Sequence, residues 1–332
     1  MAAYIKAISY CLPGRVVSNQ ELVEEFPEWS VGKIAKKIGV DSRHVVAEGE
    51  CASDLAAKAA EQLFAEHNID RKSIDFLLLC TQSPDYFLPS TACLLQHKLG
   101  LGSYCGALDF NLGCSGFVYG LALAKGLVES RVAGNVLLIA AETYSRYIHP
   151  RDKGNRTIFG DAASATLVST DGFAEIGSFE LGTDGSGAEN LIVRTGAMRH
   201  PAKAGDLIFD DSGNPISSDH LFMNGSEIFN FTLETVPGLV ENVINKNGLT
   251  KEEIGLYVFH QANKYMLDFL FDLMEIEEEK AFVHMSEVGN TVSSTIPIAL
   301  YEAQKLDRLH GNIAIAGFGV GLSWGACVLK CK

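Results

Sequence analysis

The second half of this 332-residue chain repeats the pattern of its first half. A helical pattern over 53–66, followed by an apolar strand over 76–81, occurs in the first half. The same succession returns in the second half, with a helical pattern over 227–245 and a strand over 256–260. Self-similarity on this scale indicates that one supersecondary unit is used twice.

The repeat pairs chemically interesting residues across the two halves. Asn290 lies 176 residues after Cys114, and His260 lies 180 residues after Cys80, so each pair occupies equivalent positions in the two copies. His260 ends a predicted strand, and ligands of such sheets bind outside the carboxyl ends of the strands. A pseudo-twofold axis between the halves would bring Cys114, His260 and Asn290 together.

Short apolar strands that alternate with helices predict an α/β fold. We expect two duplicated βαβαβ halves with mixed, mostly parallel central sheets that are covered by helices. Residues 1–173 are predicted to form the half that carries Cys114, and residues 174–332 the half that carries His260 and Asn290. With 47% hydrophobic residues, the chain can bury a core large enough for both halves.

Charge and segment composition exclude several classes of partner. The formal net charge of −14 argues against nucleic acid or an anionic membrane surface as the main partner. An acidic protein partner would therefore require a local basic patch. The N-terminal residues lack the layout of a signal peptide, and no stretch is apolar for long enough to span a bilayer. We expect a cytoplasmic protein.

The eight cysteines predict free thiols rather than disulfides or a metal site. They are scattered through mostly apolar surroundings, with no Cys-x-x-Cys and no paired Cys/His spacing typical of zinc. A reducing compartment would keep them as thiols. No second His or carboxylate stands at ligand spacing beside His260, so we predict no metal site.

Cys114 is the residue best suited to nucleophilic chemistry. The apolar run 108–112 predicts a buried strand, Gly113 a tight turn, and the spacing over 115–130 a helix. A thiol at the start of a helix lies near the positive end of the helix dipole, which favours the thiolate. A free cysteine is also typical of core packing, so Cys114 alone does not establish catalysis.

Two later segments supply the groups that a nucleophilic thiolate needs. His260 and Asn290 could donate hydrogen bonds to a thioester carbonyl and stabilise the enolate left by loss of carbon dioxide, a role suited to neutral imidazole. The amides of Cys114 and of Val320, in the glycine-rich segment 316–325, are candidates for an oxyanion hole. Taken singly, His260 could be a core histidine, Asn290 a helix N-cap, and the glycine-rich segment a hairpin turn.

Several segments, in this order, are similar to those of one known family. They are Gly-Cys-Ser-Gly at 113–116, Phe-Gly-Asp-Ala-Ala-Ser at 159–164, His-Gln-Ala-Asn at 260–263, Gly-Asn-Thr at 289–291 and the glycine-rich run at 317–325. The chain resembles, nearly end to end, the β-ketoacyl-acyl-carrier-protein synthase III family of thiolase-fold condensing enzymes. This resemblance implies a thiolase-like fold, a homodimer and no cofactor.

The resemblance also implies a ping-pong acyltransferase reaction. An acyl group would pass from acyl-CoA to Cys114, and malonyl-carrier protein would then condense with it, with decarboxylation aided by His260 and Asn290. The partners implied are thus an acyl thioester and an acyl carrier protein. Such a reaction initiates the synthesis of fatty acids or of related lipids and polyketides.

Substrate-binding positions of the family correspond to altered residues here. Lys37 and Lys153 stand where the family often has arginines that help hold the CoA nucleotide, and lysine keeps the charge but loses the flat, bidentate guanidinium. Trp29 is the aromatic candidate for stacking on the adenine. Asn263, which ends the His-Gln-Ala-Asn motif, completes this predicted set.

The acyl pocket is expected to differ at the residue before Pro89. The family often has a phenylalanine there that reaches into the pocket of the partner, whereas this chain has Leu88, with Phe87 one place earlier. Both residues are therefore predicted to contact substrate. We hypothesise that leucine leaves room for acyl groups longer than acetyl.

Two alternatives to condensation remain open. Cys114 could pass its acyl group to an alcohol or amine without decarboxylation, as relatives of this fold can. The chain could instead be a non-catalytic subunit that pairs with an active relative, although it retains all of Cys114, His260 and Asn290. Release of carbon dioxide from a malonyl thioester separates the first alternative from condensation, and stoichiometric acyl labelling of Cys114 would exclude the second.

Overall fold

The computed structural model describes residues 2–332, and one nine-stranded sheet organises it. In chain order the strands are β1 (Tyr4–Cys11), β2 (Arg15–Ser18), β3 (Ser42–Val45), β4 (Phe76–Cys80), β5 (Gly106–Phe110), β6 (Asn135–Glu142), β7 (Ala162–Ser169), β8 (Ala174–Thr183), β9 (Leu191–Ile192), β10 (Ile208–Phe209), β11 (Pro215–Ile216), β12 (Phe222–Met223), β13 (Ile254–Phe259), β14 (Gly311–Gly319) and β15 (Ser323–Cys331). The α-helices are α1 (Asn19–Glu25), α2 (Val31–Ile38), α3 (Ala52–His67), α4 (Thr91–Lys98), α5 (Gly116–Glu129), α6 (Lys153–Ile158), α7 (Gly225–Lys246), α8 (Lys264–Leu273) and α9 (Thr295–Lys305).

The order of strands across the sheet shows the same unit twice. The order is β13-β14-β15-β8-β1-β7-β6-β4-β5, so the first half reads β5-β4-β6-β7-β1 and the second reads β13-β14-β15-β8. Beside β13, in the place that corresponds to β5, Tyr257 and Ala281 form an isolated parallel bridge. The halves join where β1 pairs with β8. This repetition confirms the predicted duplication.

The prediction of mostly parallel sheets is wrong, because antiparallel pairs outnumber parallel ones. Three of the eight strand pairs are parallel, namely β4–β5, β4–β6 and β13–β14, and five are antiparallel. A parallel pair needs a crossover of about a dozen residues or more. Only residues 320–322 separate β14 from β15, so these strands form an antiparallel hairpin. The predicted mixed character of the sheet is confirmed.

Three helical layers enclose the two halves of the sheet. α3 packs on β1, β6 and β7, α7 packs on β8, β14 and β15, and α5 and α9 lie between the halves. The central layer joins residues of α5 and α9 into one buried core with strands of both halves. α3 can approach its strands closely because its buried face is rich in alanine. The predicted α/β fold with helix-covered halves is confirmed.

β5 lies at the edge of the sheet rather than in its interior. The sequence predicts a buried strand over 108–112, whereas the strand runs from Gly106 to Phe110 and Leu108 is 39% exposed. An edge strand is covered on fewer sides, so its apolar residues are less buried than those of a central strand. β5 therefore presents one row of backbone groups that the sheet does not pair.

The predicted boundary between residues 173 and 174 falls between β7 and β8. It stays a prediction about two structural units, since one continuous sheet runs through both halves. None of the helices within residues 2–332 is both long enough and apolar enough to cross a membrane.

Candidate active site

Cys114 lies between β5 and α5, two residues before the helix begins at Gly116. The surrounding packing requires glycine at two positions. A Cβ atom at Gly116 would lie 2.2 Å from Cys80 Sγ, and one at Gly317 would lie 2.6 Å from the carbonyl oxygen of Cys114. Both distances are shorter than any ordinary van der Waals contact. The β14–β15 hairpin, which the glycine-rich segment forms, therefore lies directly against the Cys114 turn.

Cys114, His260 and Asn290 line one cavity of about 520 Å³. Cys114 comes from the first half of the sheet, His260 follows β13, and Asn290 lies in the loop before α9. Asn290 also forms an isolated parallel bridge with Phe159, which lines the same cavity. The structure thus brings together the three side chains on which the sequence prediction rests. Across residues 2–332, no His, Cys, Asp and Glu side chains group in threes as a metal site requires.

Cys114 is buried, and burial raises the pKa of its thiol to about 12. The sequence predicts a thiolate that the start of the helix favours. This prediction is wrong for the resting site, because removing a negative charge from water costs more than the helix dipole offsets. The carboxyl group of Glu142 raises the pKa of the thiol further. The resting side chain is therefore the neutral thiol, and any nucleophilic attack by Cys114 would require it to lose that proton.

Two backbone amides converge on the Cys114 sulfur. The backbone N–H groups of Val320 and of Cys114 itself lie close enough to this sulfur that both lower the pKa of the thiol. Val320 lies in the turn of the β14–β15 hairpin. These are the two amides that the sequence proposes as an oxyanion hole. Donors of this kind are suited to the negative charge that develops when a thiol adds to a carbonyl group.

His260 is held in a neutral form at the edge of the cavity. Only 2% of the residue is exposed, and burial lowers the pKa of the imidazole to about 3. Nδ1 lies 2.7 Å from Thr295 Oγ1, and the ring packs edge-on against Phe318 with their centroids 5.8 Å apart. The backbone N–H of His260 donates to the carbonyl of Ala316 at 2.8 Å. These contacts hold the ring through Nδ1 and leave Nε2 for a ligand.

Asn290 is held at both its backbone and its side chain. Its Oδ1 accepts from the N–H of Val292 at 2.9 Å, and its Nδ2 donates to the carbonyl of Ala262 at 3.3 Å. Its backbone N–H donates to Ile158, and its carbonyl accepts from Gly160. A carboxamide nitrogen carries two N–H groups. One of them therefore remains for a ligand in the cavity.

The predicted substrate-binding residues are divided between the cavity and a neighbouring groove. A groove of about 860 Å³ shares Met223 with the cavity. Trp29 and Lys153 line the groove, whereas Lys37 and Asn263 line the cavity. The four residues thus line two neighbouring cavities that share Met223 and Gly225, and Cys114 lines one of them.

Two of these residues already have partners within the chain. Lys153 forms an ion pair with Glu28 and donates to the carbonyl of Ser212 at 3.0 Å. Asn263 caps α8, since its side chain accepts from the N–H of Met266 at 2.9 Å. A ligand that recruits either side chain must therefore compete with, or extend, an existing interaction.

Phe87 and Leu88 lie on an exposed loop, apart from the residues that line the cavity and the groove. Their exposed fractions are 73% and 81%, and that of the neighbouring Tyr86 is 62%. Their contact with substrate therefore stays a prediction, since neither residue lines the cavity or the groove within one chain. Three consecutive exposed apolar side chains are typical of a surface that another protein covers.

An apolar cluster packs around Cys114. Its buried members, besides Cys114, are Tyr144, Ile148, Phe159, Leu191, Leu221 and Val292. The hydroxyl of Tyr144 donates to Oε1 of Gln82, which satisfies the one polar group that this residue brings into the cluster. An apolar lining of this kind is suited to the hydrocarbon part of an acyl group.

Sequence reasoning misses Thr295, which orients the imidazole of His260. Its only signal is a hydroxyl side chain shortly after the Gly-Asn-Thr motif, and nothing in the local pattern assigns it a partner 35 residues away. The alternative interpretation of Asn290 as a helix N-cap is wrong, because Ser294 occupies that position of α9.

Replacing Gly319 with alanine is expected to slow acyl loading of Cys114 by about 10²-fold. Gly319 has a φ of +156°, and a Cβ atom there would lie 2.9 Å from Cys114 Sγ. The sulfur or the hairpin must therefore move.

Intact-protein mass spectrometry measures the loading rate. Gly238→Ala is the control, because its Cβ would meet nothing within 4 Å. Loading of Gly319→Ala at the wild-type rate would show that the sulfur tolerates displacement.

Two family profiles match the chain. The profile for 3-oxoacyl-[acyl-carrier-protein] synthase III matches residues 108–185, and the profile for the C-terminal part of that enzyme matches residues 244–331. A β-ketoacyl-[acyl-carrier-protein] synthase III of Clostridium perfringens is 34% identical over 321 residues, which cover 96% of this chain and 96% of that protein.

Solved structures agree with these matches. A crystal structure of a 3-oxoacyl-(acyl-carrier-protein) synthase III is 47% identical, with a TM-score of 0.97, and the match covers 99% of this chain and 100% of that one. A 3-oxoacyl-(acyl-carrier protein) synthase from Burkholderia xenovorans is 37% identical, with a TM-score of 0.91 and coverage of 100% and 95%. The predicted resemblance is confirmed, and the chain belongs to the 3-oxoacyl-acyl-carrier-protein synthase III family of thiolase-fold, acyl-transferring condensing enzymes.

Proposed function

We propose that this chain is a 3-oxoacyl-acyl-carrier-protein synthase III that works by a ping-pong mechanism. Cys114 Sγ attacks the carbonyl carbon of an acyl-CoA, the bond from that carbon to the CoA sulfur breaks, and CoA leaves as a thiol. Malonyl-carrier protein then loses carbon dioxide, and its α-carbon attacks the acyl carbonyl and releases Cys114. The single observation that carries this proposal is the meeting of Cys114, His260 and Asn290 in one cavity.

His260 and Asn290 serve the decarboxylation step in this proposal. Loss of carbon dioxide leaves negative charge on the thioester oxygen of the malonyl group, and two neutral donors can stabilise it. The free N–H of Asn290 is one donor, and Nε2–H of His260 is the other. This tautomer requires that the single proton of Thr295 Oγ1 be donated to Nδ1, across the observed 2.7 Å, rather than to the carbonyl of Val292, which lies 3.0 Å from the same oxygen.

The acyl donor is proposed to be a CoA thioester held along the groove. Trp29 offers an aromatic face for the adenine, and Lys153 and Lys37 offer positive charge for the phosphates. The reaction needs no cofactor, because the thiol and the thioester bonds supply all of its chemistry. Eight free cysteines suit a reducing compartment, and we propose that the enzyme acts in the cytoplasm.

The enzyme is proposed to act as a homodimer. The exposed residues Tyr86, Phe87 and Leu88 would enter the acyl pocket of the partner, and the edge strand β5 would face its symmetry mate. Leu88 at this tip, in place of a bulkier aromatic residue, is proposed to leave room for acyl groups longer than acetyl.

A screen of acyl donors and acceptors, read by product mass spectrometry, tests the proposed function. We expect donors longer than acetyl to load Cys114, and each condensation to release one carbon dioxide and one 3-oxoacyl-carrier protein. Loading by acetyl-CoA alone would refute the chain-length proposal. Transfer of the acyl group to an alcohol or amine without carbon dioxide would support the first alternative, and a chain that accepts no acyl group would support a non-catalytic subunit.

α2 is proposed to receive the acidic carrier protein. Lys33, Lys36 and Lys37 on this helix are exposed, and none of them forms an ion pair within residues 2–332. Lys37 also lines the cavity that holds Cys114. In a chain of net charge −14, three lysines without ion-pair partners, on a helix that reaches the cavity through Lys37, form the local basic patch that an acidic partner requires.

Reversing two of these charges is expected to weaken carrier binding. The double variant Lys33→Glu/Lys36→Glu should raise the KM for malonyl-carrier protein by about 10-fold at low ionic strength, with kcat little changed. The effect should shrink as salt is added, because surface charges are screened. Steady-state kinetics measure both constants. Lys72→Glu, an exposed lysine that precedes β4, is the control. An unchanged KM in the double variant would place the docking surface elsewhere.

A further inference from the structure

Glu142 is a buried carboxyl group to which the proposed mechanism gives no task. It is the last residue of β6 and is fully buried. Its hydrogen-bond partners are neutral donors from three residues, namely the N–H of Gln82 and the hydroxyl groups of Ser83 and Ser293. Burial raises the pKa of this carboxyl group to about 8. A polar group buried at such cost, with so many partners, generally has a specific role.

The partners of Glu142 join segments from the two halves of the fold. Its oxygens accept from the Gln82 N–H at 3.1 and 3.2 Å and from Ser83 Oγ at 3.1 Å, just beyond the end of β4. On the other side, Ser293 Oγ donates to Oε1 at 3.2 Å, across 151 residues of chain. Glu142 thus connects the strand ends of the first half to the loop of the second half that carries Asn290.

Ser293 lies between the loop that carries Asn290 and the turn that carries Cys114. It lies three residues after Asn290, in the short 3₁₀ turn that Val292 begins, and Val292 donates its N–H to Asn290 Oδ1. On its other side, Ser293 packs against the start of α5, because a Cβ at Gly116 would lie 3.6 Å from the Cβ of Ser293. Gly116 is only two residues from Cys114.

Cys80 extends the same network toward the nucleophile. Its thiol lies close enough to the Ser293 side chain for that residue to lower the pKa of the thiol, and it donates to the carbonyl of Leu112 at 3.0 Å. Leu112 precedes the Gly113 turn that leads to Cys114. A single connected set of polar groups therefore touches both the loop of Asn290 and the turn of Cys114, and Glu142 is the carboxyl group within it.

We propose that Glu142 is a positioning residue that, through Ser293, holds the Asn290 loop in register with the Cys114 turn. This inference rests on the proposed function, and it assigns Glu142 to the decarboxylation step rather than to acyl loading. The position of Cys114 is set chiefly by contacts of its own turn and of the β14–β15 hairpin. Asn290, by contrast, must be carried to it from the other half of the fold, so its placement depends on contacts that join the halves.

The test compares Ser293→Ala, Glu142→Gln and the double variant. We expect each single variant to keep the loading rate of Cys114 within about threefold of the wild type while lowering malonyl decarboxylation by on the order of 10²-fold. The double variant should be no slower than Glu142→Gln, because glutamine replaces one acceptor oxygen of this hydrogen-bonded set by an NH₂ group, so both changes weaken one connection. Ser169→Ala is the control. Its buried hydroxyl bonds Asn135 at the opposite end of the β6–β7 pair, and both rates should be unchanged.

Hydrogen exchange supplies a readout that does not depend on activity. In Ser293→Ala and Glu142→Gln, amides over 288–296 should exchange faster, while those over 52–67 should not change. Equal loss of loading and decarboxylation, additive effects in the double variant, or unchanged exchange over 288–296 would overturn the inference. If Glu142→Gln does not fold, Ser293→Ala, which loses a single hydroxyl group, decides the outcome. A wild type that does not decarboxylate malonyl thioesters would refute the proposed function, and exchange would then decide the positioning role alone.

Discussion

A Cys114→Ser variant is expected to load acyl groups at least about 10⁴-fold more slowly than the wild type. Sulfur is the better nucleophile toward a thioester, and a serine hydroxyl is harder to deprotonate than a thiol. The buried site makes the difference larger, because it already raises the pKa of the Cys114 thiol to about 12 and penalises an alkoxide more strongly. Oxygen is smaller than sulfur, so the variant should keep the packing around the turn.

Intact-protein mass spectrometry after mixing with acyl-CoA donors measures this loss. Cys93→Ser is the matched control, because Cys93 is an exposed thiol on α4 and lies apart from the cavity. The control should gain one acyl group at the wild-type rate. If Cys114→Ser gains that group equally fast, another residue is the nucleophile and the proposed mechanism fails.

The second large effect is expected at His260 and Asn290. Replacing either with alanine should leave acyl loading within about threefold of the wild type, but should lower decarboxylation of malonyl-carrier protein by about 10²- to 10³-fold, the usual cost of losing one preorganised donor. Both side chains line the cavity, yet the amides that contact the sulfur come from Val320 and Cys114. Loading and decarboxylation should therefore separate in these variants.

Single-turnover loading and the release of labelled carbon dioxide measure the two steps separately. His310→Ala, which removes an exposed imidazole remote from the cavity lining, is the control for the loss of a histidine. Loading that requires Asn290, or decarboxylation that proceeds without both residues, would contradict this division of tasks.

The pH dependence of decarboxylation follows from the same environment. Burial lowers the pKa of His260 to about 3, so the neutral imidazole is the dominant form at any pH above that value. Protonation of His260 would be seen only as the pH falls through about 3. Between pH 5 and 8 we therefore expect no inflection that disappears in His260→Ala. An inflection in that range that is lost in the variant would show that the imidazole titrates there.

The predictable part of the fold came from patterns that are local in the chain. Strands such as β4 and β13 carry continuous apolar runs, and glycines mark the turns before α5 and inside the β14–β15 hairpin. The repeat by itself places Cys114 and Asn290 at equivalent positions in the two halves. The three side chains could be expected to meet because duplicated units related by an axis bring equivalent strand ends together.

Other features depend on residues that are distant in the chain. The edge position of β5 follows from the strand order, so the apolar run around Leu108 could not reveal its exposure. The excess of antiparallel pairs likewise follows from which strands become neighbours. The pairing of Thr295 with His260 and that of Ser293 with Glu142 each join segments far apart in sequence, and neither pair has a local signature.

The sequence pattern alone predicts the duplicated α/β architecture and the family. It also predicts Cys114, His260 and Asn290 as a candidate site. The protonation states of the residues in that site, by contrast, depend on how the tertiary structure packs around them. The helix start favours a thiolate, but the surrounding core raises the pKa of Cys114 and lowers that of His260, so both groups rest in neutral forms. The reason is that a propensity or a dipole acts over a few neighbouring residues, whereas the desolvation of a charge sums over every atom that excludes water from it.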